Sequence, residues 1–129
     1  MPLSRPEPEE AIGKTILACA MRVHTALGPG LLESTYEVCL AHELAKEGLR
    51  AERQVTLPIE YDGVRLDAGY RIDLLIESTV VLEVKSVDKL AEIHTAQLLS
   101  YLKLGKFHLE YLLNFNVLHM KEGIRRVVN

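Results

Sequence analysis

The chain is expected to fold as a single α/β (α+β) domain, one mixed β-sheet flanked by helices, with its elements in the order αα-ββββ-α-ββ. Three observations lead there. Apolar residues recur at three-and-four spacing over the first 48 residues and again from Asp88 to Leu104. After Gly48 the period changes to two, and Asp62-Gly63 interrupts the alternation as a hairpin turn. A length of 129 residues with 48% hydrophobic and 26% charged side chains is one ordinary globular core.

The first helix is read over Ala11–Leu27, where Ile12, Ile16, Cys19, Ala20, Val23 and Leu27 form a stripe that ends at Gly28-Pro29-Gly30. A second runs from about Leu31 to Glu47 with Leu32, Tyr36, Cys39, Leu40 and Leu44 on one face and Gly48 as its C-terminal cap. Val55, Leu57, Ile59 and Tyr61 alternate as a strand, and Val64 and Leu66 start the return strand. Gly69 marks a bend. Tyr70–Ile76 and Val80–Val87 are two more strands joined by Glu77-Ser78-Thr79. A third helix follows over Asp88–Leu104, ended by Gly105, and Tyr111–Phe115 and Val117–Lys121 close the sheet before a short extended tail. Residues 1–10 are expected to be a flexible segment and 11–129 the domain.

Composition excludes several functions. No apolar run approaches the roughly 18 residues that a membrane-spanning helix needs. Met1–Glu10 has three prolines and several charges but no apolar core segment, so the expected location is the cytoplasm. A net charge of −3 excludes a strongly basic nucleic-acid coat protein, so any nucleic-acid contact is local. With no tryptophan and 5% aromatic residues, an extended base-stacking platform is not expected. Cys19 and Cys39 read as reduced, buried thiols on helical stripes, and the five histidines lack the spacing of a zinc site.

The informative chemistry lies around Ser78. A turn centred there makes residues whose numbers sum to 156 face one another, which sets Asp73 opposite Glu83. Lys85 shares their face two residues on, while Ile72, Leu74, Leu82 and Val84 point to the opposite, core side. Like-charged carboxylates in a strand pair are costly unless protonated, paired or bound to a cation. Asp73, Glu83 and the backbone carbonyl of Val84 are the hard oxygen donors that Mg²⁺ takes, with water and phosphate completing the shell and Mn²⁺ as a substitute. The Lys85 ammonium would orient a nucleophilic water and stabilise developing phosphoryl charge. The competing reading is a structural ion cluster in which Lys85 neutralises both acids.

Asp73 followed by Glu83-Val84-Lys85 resembles the PD-(D/E)XK nuclease motif. Gly30-Leu31-Leu32-Glu33-Ser34-Thr35-Tyr36 is similar to the signature of the GxxExxY family, which is placed in that nuclease-like superfamily; the likeness runs from about His24 to Arg126 and takes in Tyr70-Arg71-Ile72-Asp73 and Leu113-Asn114-Phe115. The resemblance implies a restriction-endonuclease-like core and a divalent-cation-dependent nuclease acting on nucleic acid, in the first place DNA. It adds Glu33 as a metal ligand from the helix before the sheet, and Gln97 and Tyr101 as the QxxxY element of the RecB-like branch, supporting the site or a phosphate. The bland readings are a helix-dipole charge for Glu33 and a core tyrosine with its glutamine for the pair. Ile72 stands where the motif name has proline, and His24 is the candidate for the first-helix histidine of some branches. Lys103, Lys106, His108, Lys121, Arg125 and Arg126 are the candidate phosphate-binding rim. The alternative function is a non-catalytic nucleic-acid-binding or protein-interaction module; a hydrolase of small phosphate esters is a third. The size of the domain leaves room for a homodimer or a protein partner.

Overall fold

The structure, a computed structural model, describes residues 8–66 and 69–129. Helix α1 spans Pro8–Leu27 and α2 spans Glu33–Lys46. Pro8 opens α1 where its missing N–H is no loss, and Glu9 and Glu10 fall in the first turn, where the helix dipole favours carboxylates. Of the segment expected to be flexible, residues 1–7 lie outside the described residues and the last three begin α1. The α2 helix closes in a Schellman motif: Gly48 adopts φ +81°, its N–H donates to Ala45 O, and the Leu49 N–H donates to Leu44 O.

Strands β1 (Ala51–Thr56), β2 (Ile59–Tyr61), β3 (Val64–Leu66), β4 (Arg71–Ile76) and β5 (Val80–Lys85) precede α3 (Glu92–Gly105), and β6 (Leu109–Asn114) and β7 (Ile124–Val128) follow it. The main sheet has the order β1-β4-β5-β6-β7. Its β5–β6 pair is parallel, with α3 as the crossover, and the other pairs are antiparallel. This is the expected α+β architecture, helices on both faces of a mixed sheet. One core lies between α1, α2 and the sheet, with Ile16, Tyr36, Leu40, Leu82 and Phe115 among its members; the other lies under α3 around Leu57, Ile72, Val81 and Leu102. Among the described residues no helix is long and apolar enough to cross a membrane.

Five strands, not four, precede α3. The period-two pattern runs without a break from Val55 to Tyr61, but Leu57 gives its N–H to Tyr70 O and Pro58 has none to give, so the ladder stops and β2 with β3 forms a separate ribbon. The Asp62-Gly63 turn is as expected, both residues having positive φ. Val117–Lys121 is not a strand. A 3-10 turn occupies Met120–Gly123, and the closing strand is the segment read as a tail. Gly123 permits that path, because a Cβ there would lie 1.9 Å from the Asn114 carbonyl oxygen. The α3 helix starts at Glu92 rather than Asp88, since the Asn114 side chain engages both backbone groups of Val87 and holds the intervening loop open. It is closed by Lys106 in the left-handed conformation, not by Gly105, which packs against Leu57 and Phe107. Cys39 is only half-buried.

Candidate active site

The turn between β4 and β5 sets the geometry. Glu77 and Ser78 both have positive φ and Thr79 N–H donates to Ile76 O, a type I′ turn inside the three-residue connection Glu77-Ser78-Thr79. The register is then Ile76↔Val80, Leu75↔Val81 and Leu74↔Leu82. Beyond Leu74 the ladder parts. There the side chain of Asp73 takes over, its Oδ2 accepting the Val84 N–H at 2.9 Å. The Asp73 carboxylate is thus fastened to the next strand beside Glu83. At the same level Ile72 joins the α3-side core instead of sharing the face of Leu74, so the expected alternation fails by one residue.

Glu83 is 3% exposed. Burial first, and then the charge of Asp73, push its carboxyl up to about 9, so without a cation it holds a proton at neutral pH. The Tyr70 phenol faces this carboxyl, whose Oε1 is buried with no partner. Tyr70 stacks face to face on Tyr101, ring centroids 4.2 Å apart. Tyr101 therefore reaches the acidic pair through Tyr70, and Gln97, one turn earlier on α3, is exposed. Lys85 is half-buried at the end of β5, and among the described residues it forms no ion pair with Asp73 or Glu83.

Glu33 stands at the same end of β5. Its Oε1 accepts the Ser86 N–H at 3.3 Å, and Ser86 Oγ donates to Leu31 O at 2.6 Å. The loop before α2 is shaped by Tyr36, whose hydroxyl donates to Gly28 O and accepts the Leu31 N–H. Gly30 turns this loop with φ +93°. Asp73 and Glu83 are side by side, but among the described residues no three His, Cys, Asp or Glu side chains form a group that could hold a metal ion, so Glu33 is near the pair without completing a triad. The donor set still fits a hard cation. Mg²⁺ is commonly held through one or two carboxylates with water and phosphate filling the rest, and Glu83 Oε1 is a buried oxygen without a partner.

Other candidates are committed elsewhere. His24 Nε2 contacts Val117 O at 2.7 Å and belongs to the packing of α1. Within the basic rim, His108 Nδ1 contacts Glu9 at 2.6 Å, and Arg125 bonds to Thr95 Oγ1 and Leu90 O. Lys103, Lys106, Lys121 and Arg126 are exposed.

Four participants escaped the sequence reading. Glu37 on α2 accepts from both Arg53 and Gln54, and Gln54 extends to Asp73. Glu110 on β6 is 1% exposed with neither carboxyl oxygen partnered, and burial followed by the charge of Asp73 pushes it up to about 8. It lines a cavity of about 10 Å³ with Tyr70, Tyr101 and Leu102. That is space for roughly one water molecule, not for a hydrated metal ion.

The sequence model of the PD-(D/E)XK nuclease superfamily matches residues 10–127. No curated protein and no solved structure matches the chain.

Proposed function

This chain belongs to the PD-(D/E)XK nuclease superfamily, and from that membership we propose a divalent-cation-dependent nuclease that hydrolyses phosphodiester bonds of nucleic acid, DNA in particular. The observation that carries the reading is the unequal treatment of charge at the site. Asp73 and Glu83 lie together with one carboxyl oxygen buried and unpartnered, whereas Lys85 forms no ion pair with either among the described residues. A structural ion cluster would close Lys85 onto the acids, because an unpaired buried charge is expensive. An open arrangement leaves oxygens for a cation and an ammonium for a substrate.

In this mechanism Asp73, Glu83 and the carbonyl of Val84 would hold Mg²⁺, or Mn²⁺ in its place, with water and phosphate completing the shell, while Glu33, outside that pair, ties the end of β5 through the Ser86 N–H. The cation, when bound, supplies Lewis-acid polarisation of a phosphoryl oxygen. Lys85 Nζ donates to the attacking water and orients its lone pair toward phosphorus. It also stabilises the negative charge that grows on the non-bridging oxygens as the water oxygen bonds to phosphorus, releasing its proton to solvent, and the bond to the leaving oxygen breaks, that oxygen taking a proton from solvent water. The Tyr70 hydroxyl keeps the Glu83 carboxyl aimed, and Tyr101 holds the Tyr70 ring. Gln97 is assigned to a substrate phosphate. A domain of this size covers a short stretch of duplex, so a homodimer or protein partner would extend the contact. The free thiols of Cys19 and Cys39 accord with a reducing cytoplasm.

The test is cleavage of linear, single-stranded, circular and branched nucleic acids with Mg²⁺ or Mn²⁺, and with chelator. Wild type is expected to cut only with cation, and Lys85→Ala and Asp73→Ala to fall at least about 100-fold, the scale of losing one transition-state donor. Absence of cleavage, with calorimetry showing no Mn²⁺ binding, would reassign the cluster to a non-catalytic nucleic-acid-binding or protein-interaction module.

A further inference from the structure

We propose that Gln54 is a positioning residue for Asp73, a neutral amide that fixes the carboxylate without competing with a cation for it. The inference rests on the reading of Asp73 as a cation ligand. Among the described residues Gln54 is the one non-glycine residue inside a strand with positive φ, at +55°; the others lie in turns or at a helix end. L side chains avoid this region, so a residue held there inside a ladder is a place to look for function.

The unusual conformation has a visible consequence. In a regular strand neighbouring side chains point to opposite faces. Here consecutive residues reach the same buried carboxylate: Arg53 contacts Glu37 Oε2 through Nε at 2.9 Å and its terminal nitrogen at 2.7 Å, and Gln54 Nε2 donates to Glu37 Oε1 at 2.7 Å. Val55 then returns to the α3 side. The register of β1 on β4, Arg53↔Leu74 and Val55↔Ile72, leaves Gln54 opposite Asp73 as the level where the ladder is interrupted.

The chemistry suits a cation site. An amide nitrogen has two N–H donors. One goes to Glu37 and the other faces Asp73 Oδ1 at 3.4 Å, while Asp73 Oδ2 takes the Val84 N–H at 2.9 Å. Both oxygens of Asp73 thus meet donors from different strands, which sets the plane of the carboxylate. An arginine or lysine in place of Gln54 would also orient Asp73 but would cancel its charge. Arg53 instead neutralises Glu37, so that carboxylate is occupied.

Gln54→Gly and Gln54→Asn both suit a left-handed backbone, and neither side chain spans to Asp73. In the metal-free protein, the Gln54 side-chain amide signals, identified in nitrogen–proton NMR spectra by their loss in Gln54→Gly, are expected to shift in both Glu37→Gln and Asp73→Asn. By calorimetry, Mn²⁺ affinity should fall about 10–100-fold in Gln54→Gly and Gln54→Asn, the range for removing a group that orients a metal ligand. A response of the amide to Glu37→Gln alone, or Mn²⁺ affinity equal to wild type in both Gln54 variants, overturns the proposal and leaves a strut between α2 and β1. Wild type that binds no Mn²⁺, with the amide responding to both substitutions, supports the Gln54–Asp73 link and takes down the nuclease reading instead.

Discussion

Tyr36→Ala is expected to cost about 3–5 kcal/mol of folding stability, the range for deleting a large buried ring. Out of the roughly 5–15 kcal/mol that a domain of this kind possesses, that is a large share. Tyr36 is fully buried and stacks on Phe115 with centroids 4.5 Å apart. Its hydroxyl also completes two backbone groups of the loop before α2, Gly28 O and the Leu31 N–H. Tyr36→Phe separates the two roles: the ring stays, two loop groups lose their partner, and the cost should fall to about 1–3 kcal/mol. The loop is also what brings Leu31 and Glu33 onto Ser86, and the Phe115 N–H donates to Lys85 O, so Tyr36 organises the carboxyl end of β5 from both sides. Urea titrations of the three proteins decide the matter. If Tyr36→Phe is as damaging as Tyr36→Ala, the ring contributes little and the packing account is wrong.

That loop shows how a spacing in the sequence becomes a site. Gly30, Glu33 and Tyr36 stand three apart because the first turns the chain, the second begins α2 and the third lies one helical turn further in, facing back to the loop. That Asp73 and Glu83 come side by side was legible for a similarly local reason, since the three-residue connection Glu77-Ser78-Thr79 fixes the register up to Leu74↔Leu82, the pair just before them. What could not be read depends on contacts between elements distant in sequence. Ile72 changes face because Gln54 is left-handed and Asp73 leaves the ladder, and nothing in either strand's own periodicity announces it. The ribbon of β2 and β3 separates after the Leu57 N–H has met Tyr70 O, where Pro58 has no N–H to carry the ladder on. Leu109-Glu110-Tyr111 has the alternation of a strand with one wet face, yet α3 with Tyr70 and Tyr101 covers that face.

Glu110 supplies the other large effect: Glu110→Leu should stabilise the protein by about 1–3 kcal/mol near pH 7.5, the cost of a buried polar group left without a partner. Leucine has similar bulk, and the wall formed by Leu57, Ile72, Val81, Leu98 and Leu102 is apolar. The pH dependence follows from the direction of the shifts. Glu110 at about 8 and Glu83 at about 9 both lie above the ordinary value of 4.5, so the folded protein binds protons that the unfolded chain has released. Their contribution is therefore fully present below pH 4.5 and is lost as pH rises through 8 and 9. Each such group adds up to about 1.4 kcal/mol per pH unit to the decline between those limits. Urea titrations from pH 5 to pH 9 without divalent cation should show wild type weakening steadily and Glu110→Leu weakening by about one proton fewer. Glu110→Gln should flatten the curve similarly with less gain in stability, because it keeps a buried polar group. Equal slopes for wild type and Glu110→Leu would mean that Glu110 does not titrate in this range. Asp73 is a cause of both shifts, so in Asp73→Asn the decline should end at lower pH although neither glutamate is itself changed. Saturating Mn²⁺ should act on the Glu83 part of the slope, since a cation favours the ionised carboxylate, and leave the Glu110 part, which lies in a cavity too small for a hydrated ion.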